Sequence, residues 1–171
     1  MAPPLVLLSG PAFSGKSTLA AHLAARWGFE VVSLDAINAR RGLRGGEGVP
    51  EAEWARTAAL ARDEVRALLS LPGSRVVVDD TLCFRFLRND FRGIATEAGR
   101  DSVLLVLGTS IEDVRRRISE NERRPTRGGI REVVLEQHLA AFEWPGVDEP
   151  HRVVRDVADL EAWLAVAAPG W

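Results

Sequence analysis

Short apolar runs alternate with longer amphipathic segments along most of the chain. The apolar runs predict β-strands at residues 5–8, 29–34, 76–78, 102–107 and 153–154. The longer segments carry apolar residues at helical spacing and predict helices at residues 16–27, 51–69, 84–98, 111–120, 130–142 and 157–167. Strands and helices that alternate in this way are typical of a parallel sheet covered by helices on both faces. The pattern therefore predicts a three-layer α/β fold.

Length and composition are those of an ordinary globular domain. The 171 residues suffice for one core, so residues 1–171 are expected to form a single domain. The net charge of −2 gives the whole molecule no electrostatic reason to bind nucleic acid or a membrane. The apolar stretch at residues 4–8 is too short for a signal peptide or a membrane span. A cytoplasmic location is therefore expected.

Cysteine and lysine are unusually rare. Cys83 is the single cysteine, which rules out an internal disulfide and disfavours a cysteine-based metal site. Lys16 is the single lysine among 22 basic residues, and the other 21 are arginine. In a composition biased towards arginine, a lysine at one position indicates that a compact charge on a flexible stem is needed there.

Residues 10–17 read G-P-A-F-S-G-K-S and fit the pattern G-x-x-x-x-G-K-[S/T] between a predicted strand and a predicted helix. In such a loop, backbone N–H groups converge on the β-phosphate, Lys16 neutralises the β and γ oxygens, and Ser17 binds Mg²⁺. The alternative is a chance glycine-rich turn, which the strand and helix context disfavours. ATP and Mg²⁺ are the expected cofactors, and the predicted nucleotide-binding residues are Gly10, Ala12, Phe13, Ser14, Gly15, Lys16, Ser17 and Thr18.

Acidic residues follow two of the predicted strands, at the edge of a parallel sheet where ligands bind. Asp35 could accept the proton of an acceptor hydroxyl held in line with the γ-phosphate. Alternatively, Asp35 caps a helix that begins at Ala36. Asp79 and Asp80 could hold Mg²⁺ or orient the substrate, or they could cap the helix after Thr81. We expect one of this pair to serve the metal.

Arginines are concentrated between residues 111 and 131, a segment that contains seven arginines and four acidic residues. Guanidinium groups stabilise the charge that develops in phosphoryl transfer, and a closing segment excludes water. Residues 120–130 are therefore predicted to form an arginine-rich lid, with Arg123 and Arg124 as its catalytic candidates. The alternative, an ordinary solvated helix face, is preferred for at least one of the arginines at positions 115–117.

Several motifs, taken in order, resemble the P-loop kinases of the polynucleotide-kinase-like, zeta-toxin-like and chloramphenicol-phosphotransferase-like group, which carry an AAA-type ATP-binding domain. They are GPAFSGKST at residues 10–18, SLDAI at 33–37, VVVDDT at 76–81, RISENERR at 117–124, and FEWP at 142–145 followed by Glu149-Pro150. The resemblance implies the P-loop NTPase fold with a five-stranded sheet and ATP as donor. It also implies that Asp35 is the general base and that Arg123 or Arg124 contacts the donor phosphates.

The chain departs from polynucleotide kinases at three positions. Asn38 stands where those kinases tend to carry an arginine for a phosphate of the acceptor strand, and Leu82 replaces an asparagine after Thr81. Glu120 occupies a position where another lid arginine is expected. Four other arginines are therefore candidates for binding the acceptor: Arg40, Arg41, Arg85 and Arg88.

These residues predict an ATP-dependent phosphotransferase that moves the γ-phosphate to a hydroxyl of a small-molecule or nucleoside-like acceptor. Phosphorylation of a nucleic-acid 5′-hydroxyl is an alternative, which the arginines favour and Asn38 disfavours. A third hypothesis is a non-kinase switch that hydrolyses ATP slowly, and a fourth is an adenylate-kinase-like enzyme. Four aromatic residues could line the acceptor pocket or belong to the core: Trp54, Phe84, Phe86 and Trp144.

Overall fold

A computed structural model describes residues 4–43, 48–126 and 128–167. Its five strands are β1 (Leu5–Ser9), β2 (Glu30–Ser33), β3 (Val76–Asp79), β4 (Ser102–Leu107) and β5 (Arg152–Val154). They form one parallel sheet in the order β2-β3-β1-β4-β5. The predicted five-stranded parallel sheet is confirmed, with the first strand at its centre.

In the described parts of the chain, seven helices connect and follow these strands. They are α1 (Lys16–Trp27), α2 (Leu34–Arg40), α3 (Glu51–Leu69), α4 (Arg85–Glu97), α5 (Ile111–Arg123), α6 (Glu132–Ala141) and α7 (Val157–Ala167). Among the described residues, none of these helices is long and apolar enough to cross a membrane.

The central strand β1 is buried on both faces. Leu5 and Leu7 pack into a core that also contains residues of α2, α3 and α4. Val6 and Leu8 point the other way, into a core shared with α1 and α7. Because successive side chains of a strand point to opposite faces, one apolar run supplies both cores. The predicted three-layer arrangement is confirmed.

A third apolar cluster lies beside the sheet and joins the loop after β1 to the two helices around the predicted lid. Phe13 of that loop packs with Val114 and Ile118 of α5 and with Leu135 of α6. This cluster packs α5 against the loop. Other side chains on the same face of α5 can therefore contact the backbone of the loop.

Two segments differ from their predicted form. The strand predicted at residues 29–34 ends at Ser33, whose hydroxyl oxygen accepts the Ala36 N–H at 3.3 Å and caps α2. Ser33 therefore does what was suggested for Asp35, and the alternative that Asp35 caps this helix is wrong. Helix α5 runs to Arg123, so the first part of the predicted lid at residues 120–130 is helical. Within that lid, Arg127 lies outside the described residues.

Candidate functional site

The loop between β1 and α1 has the backbone geometry of a phosphate-binding loop. Gly10 and Gly15 have φ angles of 156° and 108°, which side chains rarely permit. A Cβ atom at Gly10 would stand 2.9 Å from Ser14 Oγ and 3.0 Å from Leu107 Cβ. Both glycines are therefore required by the shape of the loop, and the motif's fixed positions have a physical cause.

Lys16 folds back over this loop. Its Nζ donates hydrogen bonds to the Gly10 carbonyl at 2.9 Å and to the Pro11 carbonyl at 2.8 Å, and the residue is 8% exposed. Ser14 Oγ is buried, and it has no hydrogen-bond partner within the described part of the chain. An ammonium group and an unpartnered hydroxyl in one glycine-rich loop at a helix N-terminus are groups that phosphate oxygens satisfy. The loop thus fits a nucleotide phosphate.

Arg117 braces the same loop from α5, and sequence reasoning missed it. Its Nη1 donates to the Phe13 carbonyl at 3.0 Å and to the Ser14 carbonyl at 2.9 Å. The Ser14 carbonyl also accepts from Thr109 Oγ1 at 2.6 Å. The spacing carried a signal: Arg117 is three residues after the buried Val114, so both lie on one face of the helix.

The two preceding arginines belong to the solvent face of α5, as predicted for at least one member of this group. Arg116 pairs with Asp113 at 2.6 Å, one turn away on the same helix. Arg115 pairs with Glu132 at 3.0 Å and also with Glu136. The two pairs of Arg115 tie the exposed side of α5 to α6.

The proposed lid arginines do not reach the loop in this structure. Arg123 is exposed, and its Nε donates to the Ser119 carbonyl at 3.2 Å within α5. Arg124 is exposed and follows the last residue of α5 as its C-cap. A catalytic role for either residue would require the segment to move.

The acidic residues meet at the carboxyl edge of the sheet. Asp79 ends β3 opposite Leu8 of β1 and Ser33 of β2. Asp80 Oδ2 accepts the Leu82 N–H at 3.1 Å, whereas α4 begins only at Arg85. The alternative that these aspartates cap the following helix is therefore wrong. The Asp80 carboxylate is held by the turn that follows β3.

Electrostatics connects Asp80 to the other candidate groups. Burial raises the pKa of Asp80, and the negative charge of Asp35 raises it further. The Leu82 N–H and the positive charge of Lys16 lower the same pKa. Asp35 itself is exposed in the first turn of α2. The structure thus brings Asp80 within electrostatic reach of both Lys16 and Asp35.

The donor set here fits Mg²⁺ delivered with a nucleotide. Ser17, Asp79 and Asp80 offer the oxygen atoms that Mg²⁺ prefers. Across residues 4–43, 48–126 and 128–167, no three His, Cys, Asp or Glu side chains are grouped so as to enclose a metal. An ion at this edge would therefore take its remaining ligands from phosphate and water, as Mg²⁺ commonly does.

All four arginines suggested as acceptor ligands are engaged in ion pairs: Arg40 with Glu64, Arg41 with Glu53, Arg85 with Asp148, and Arg88 with Glu149. Arg88 is 1% exposed and bound to a carboxylate that is also buried. It therefore serves the interior of the fold. The three others are paired at or near the surface, and the structure shows none of them in contact with the phosphate-binding loop.

A cleft of about 320 Å³ opens beside the loop. One wall is formed by loop and α1 residues that include Gly15, Ser17 and Thr18. Arg117 and residues 155–157, which lead from β5 into α7, also line the cleft. A cleft of this volume can accommodate part of a nucleotide.

A parallel sheet of this order, with a glycine-rich loop and lysine after its central strand, defines a P-loop nucleotide-binding protein. Residues 5–145 match the AAA domain family, and the chain belongs to that family. The predicted resemblance to the P-loop kinase group is confirmed at the level of family and fold.

Solved structures with this fold cover nearly the whole chain. Kti12 of Chaetomium thermophilum, in complex with ADP-AlF3, is 19% identical over 96% of this chain and 100% of its own, with a TM-score of 0.72. A gluconokinase from Sinorhizobium meliloti 1021 is 18% identical over 97% of this chain and 94% of its own, with a TM-score of 0.69.

A shorter similarity links the chain to a curated protein. It is 48% identical over 50 residues to the tRNA dimethylallyltransferase of Xylella fastidiosa (strain M12). The match covers 29% of this chain and 16% of that enzyme.

Replacing Arg117 with methionine tests the brace on the loop. A hydrogen bond to a charged group contributes about 1.5–3 kcal/mol, and about 1.4 kcal/mol is a tenfold change in affinity. We expect Arg117→Met to weaken ADP binding about tenfold, measured by isothermal titration calorimetry. Arg116→Met, which removes an exposed pair on the same helix, should bind ADP within about twofold of the parent. Equal affinities for all three proteins would show that the loop holds its shape without Arg117.

Proposed function

We propose that this protein is an ATP-dependent phosphotransferase that moves the γ-phosphate to a hydroxyl of a small-molecule or nucleoside-like acceptor. One observation carries the proposal: Lys16 in the phosphate-binding loop lies within electrostatic reach of Asp80, and Asp80 within that of Asp35. Phosphoryl transfer needs a cation on the donor phosphates, an oxygen ligand for the metal and a base on the acceptor, and these three residues supply them. The proposed setting is the cytoplasm.

The donor nucleotide is assigned to the cleft beside the loop. Backbone N–H groups of residues 10–18 and the Ser14 hydroxyl bind its phosphates, and Lys16 exchanges its contacts with loop carbonyls for the β and γ oxygens. Residues 155–157, which also line the cleft, are assigned to the nucleoside. Ser17 and one of Asp79 and Asp80 hold Mg²⁺, which neutralises charge on the phosphates when bound.

Asp35 is assigned as the general base. Its carboxylate is exposed at the sheet edge, where an acceptor hydroxyl can approach it, and Ser33 already performs the capping of α2. Asp35 would accept the hydroxyl proton as the oxygen bonds to the γ-phosphorus and the bond to the β-bridging oxygen breaks. Arg123 or Arg124 would then stabilise the transferred group after the lid segment closes.

The acceptor side is assigned to aromatic residues near the turn after β3. Phe84 and Phe86 stack with ring centroids 5.7 Å apart, and Phe142 and Trp144 stack at 4.3 Å. Phe86 is 60% exposed and Trp144 is 50% exposed. The Glu143 N–H donates to the Cys83 carbonyl at 2.9 Å, which joins the two segments. Exposed flat rings beside a reactive edge favour an acceptor that carries a planar ring.

Truncation of the exposed indole tests this assignment. Stacking on an aromatic side chain contributes about 1–3 kcal/mol per base, so Trp144→Ala should raise the KM for a nucleoside acceptor about fivefold or more. Steady-state kinetics with the acceptor varied would measure it, with the KM for ATP as internal reference. Val133→Ala, which truncates an exposed apolar residue of α6, is the matched control. An unchanged acceptor KM in Trp144→Ala would exclude the ring from the acceptor site.

ATP consumption tests the function as a whole. The protein is incubated with ATP and Mg²⁺ alone, then with nucleosides, with 5′-hydroxyl oligonucleotides and with hydroxylated antibiotics, and Asp35→Asn serves as control. Acceptor-stimulated turnover that the variant loses would establish the kinase. Slow hydrolysis that needs no acceptor and ignores Asp35 would instead identify an ATP-dependent switch.

Nucleic acid as acceptor is the second candidate, because the curated relative matched over 50 residues is a tRNA-modifying transferase by name. Several phosphate contacts would release counterions, so acceptor binding would weaken steeply with salt. Stimulation by oligonucleotides but not nucleosides, together with that salt dependence, would favour this alternative.

A further inference from the structure

Glu149 is a buried carboxylate outside the candidate site. It is 2% exposed, and the Arg88 guanidinium binds both of its oxygens, with Nε–Oε1 at 2.8 Å and Nη2–Oε2 at 2.7 Å. Arg92 Nη1 adds a third hydrogen bond to Oε1 at 2.6 Å. These bonds, those of Arg88 first, lower the pKa of Glu149 to about 2. The carboxylate is therefore charged across the physiological range.

The remaining terminal nitrogen of Arg88 points to the turn after β3. Arg88 Nη1 donates to the Leu82 carbonyl at 2.8 Å. Leu82 is buried and has a φ of 42°, in the left-handed region that a branched side chain seldom adopts. Such a conformation persists only where the surroundings hold it, and the buried Arg88–Glu149 pair is part of those surroundings.

The same turn contacts both the start of the phosphate-binding loop and the Asp80 carboxylate. The Thr81 carbonyl accepts the Gly10 N–H at 3.1 Å and Ser9 Oγ at 3.1 Å. On the other side, the Leu82 N–H donates to Asp80 Oδ2 at 3.1 Å. The turn at residues 80–82 therefore sets the start of the phosphate-binding loop and the direction of the Asp80 carboxylate together.

We propose that Glu149 is a positioning residue, which acts through Arg88 and the Leu82 carbonyl to aim the Asp80 carboxylate at the metal of a bound nucleotide. The inference rests on the proposed function and takes Asp80, rather than Asp79, as the aspartate that serves the metal. Partners of metal ligands are known to change metal affinity about 10- to 100-fold when removed. What distinguishes this role from simple support of the fold is its effect on metal-dependent binding.

The test replaces the pair without leaving a buried charge alone. Loss of one partner strands the other, whereas apolar residues of similar volume are often tolerated. The double variant R88M/E149L keeps the volume and removes the contact with the Leu82 carbonyl. Its matched control is R62M/D90L, which removes an exposed ion pair between α3 and α4.

The measurement is ADP affinity by calorimetry, with excess Mg²⁺ and with EDTA, so no turnover is needed. The ratio of the ADP affinity in Mg²⁺ to the ADP affinity in EDTA reports how strongly the metal favours nucleotide binding. In R88M/E149L we expect this ratio to fall about tenfold, with metal-free affinity within about twofold of the parent. E149D, which keeps the charge, should restore most of the ratio, and R62M/D90L should leave it unchanged.

Asp80→Asn is the reference for the proposed function. If Asp80→Asn lowers the ratio and R88M/E149L does not, the positioning role of Glu149 is wrong and the metal assignment stands. If R88M/E149L weakens binding equally with and without Mg²⁺, the pair only supports the fold, and the inference is likewise overturned. If Asp80→Asn keeps the parent ratio, the metal assignment itself fails and the inference with it.

Discussion

Replacing Lys16 with alanine should abolish ATP turnover and leave the fold intact. The Lys16 Nζ lies within the phosphate-binding loop, 2.9 Å from the Gly10 carbonyl oxygen and 2.8 Å from the Pro11 carbonyl oxygen. Removing one preorganised group that stabilises developing charge typically costs about 10²–10³ in rate. We therefore expect turnover to fall by at least about 10²-fold, measured as phosphate release or acceptor phosphorylation.

Two controls separate chemistry from folding in that experiment. The thermal unfolding midpoint of Lys16→Ala should stay close to that of the parent, because a polar loop contact is lost and no core is opened. Lys16→Arg should also be inactive, since a planar guanidinium does not replace a compact ammonium at this position. Undiminished turnover in Lys16→Ala would remove the whole functional proposal.

Replacing Asp35 with asparagine should reduce phosphoryl transfer about 10²-fold or more, the usual scale for a general base. The amide keeps the size of the side chain and cannot accept the hydroxyl proton. Because Ser33 rather than Asp35 caps α2, the helix should survive the change. Single-turnover transfer to the acceptor, at saturating ATP, measures the effect on the chemical step.

Asp63→Asn is the matched control for Asp35→Asn, because it neutralises an exposed aspartate of α3 paired with Arg66 on the same helix. It should transfer phosphate at the parent rate. Since Asp35 raises the pKa of Asp80, Asp35→Asn should also lower that pKa and favour the charged form of Asp80. A parent-like rate in Asp35→Asn would exclude Asp35 as the general base.

Elements with strong local signals were predicted to the residue. Helices α1, α3 and α7 and strand β4 have the predicted bounds. The left-handed Gly28 ends α1, and Pro50 directly precedes α3, so each boundary is fixed by its own backbone chemistry. The short helix α2 was predicted only as an alternative beginning at Ala36, and Leu34 was counted with the preceding strand, whereas the helix begins at Leu34 behind its cap Ser33.

The candidate site also contains features that local sequence predicts and features that it does not. The phosphate-binding loop is one continuous segment, and the aspartates follow strand ends, so both could be predicted from spacing and topology. The roles of arginines could not, because they depend on partners far along the chain. Arg85 meets Asp148 across 63 residues, and Arg117 reaches the Phe13 carbonyl across 104. The four arginines suggested as acceptor ligands are ion-paired, and Arg117, to which no role was assigned, braces the loop.

The single lysine makes the chemical modification of this protein unusually selective. Every amine-directed reagent, from an acetyl donor to a succinimide ester, meets one lysine side chain in this sequence, and that side chain is 8% exposed within the loop that grips phosphate. Acylation would neutralise the charge that a nucleotide needs, and a bound nucleotide would in turn shield the amine. We therefore expect modification of Lys16 and nucleotide binding to exclude each other, so the extent of labelling at Lys16, resolved from that of the α-amine by peptide mass spectrometry, would report the fraction of protein that holds a nucleotide.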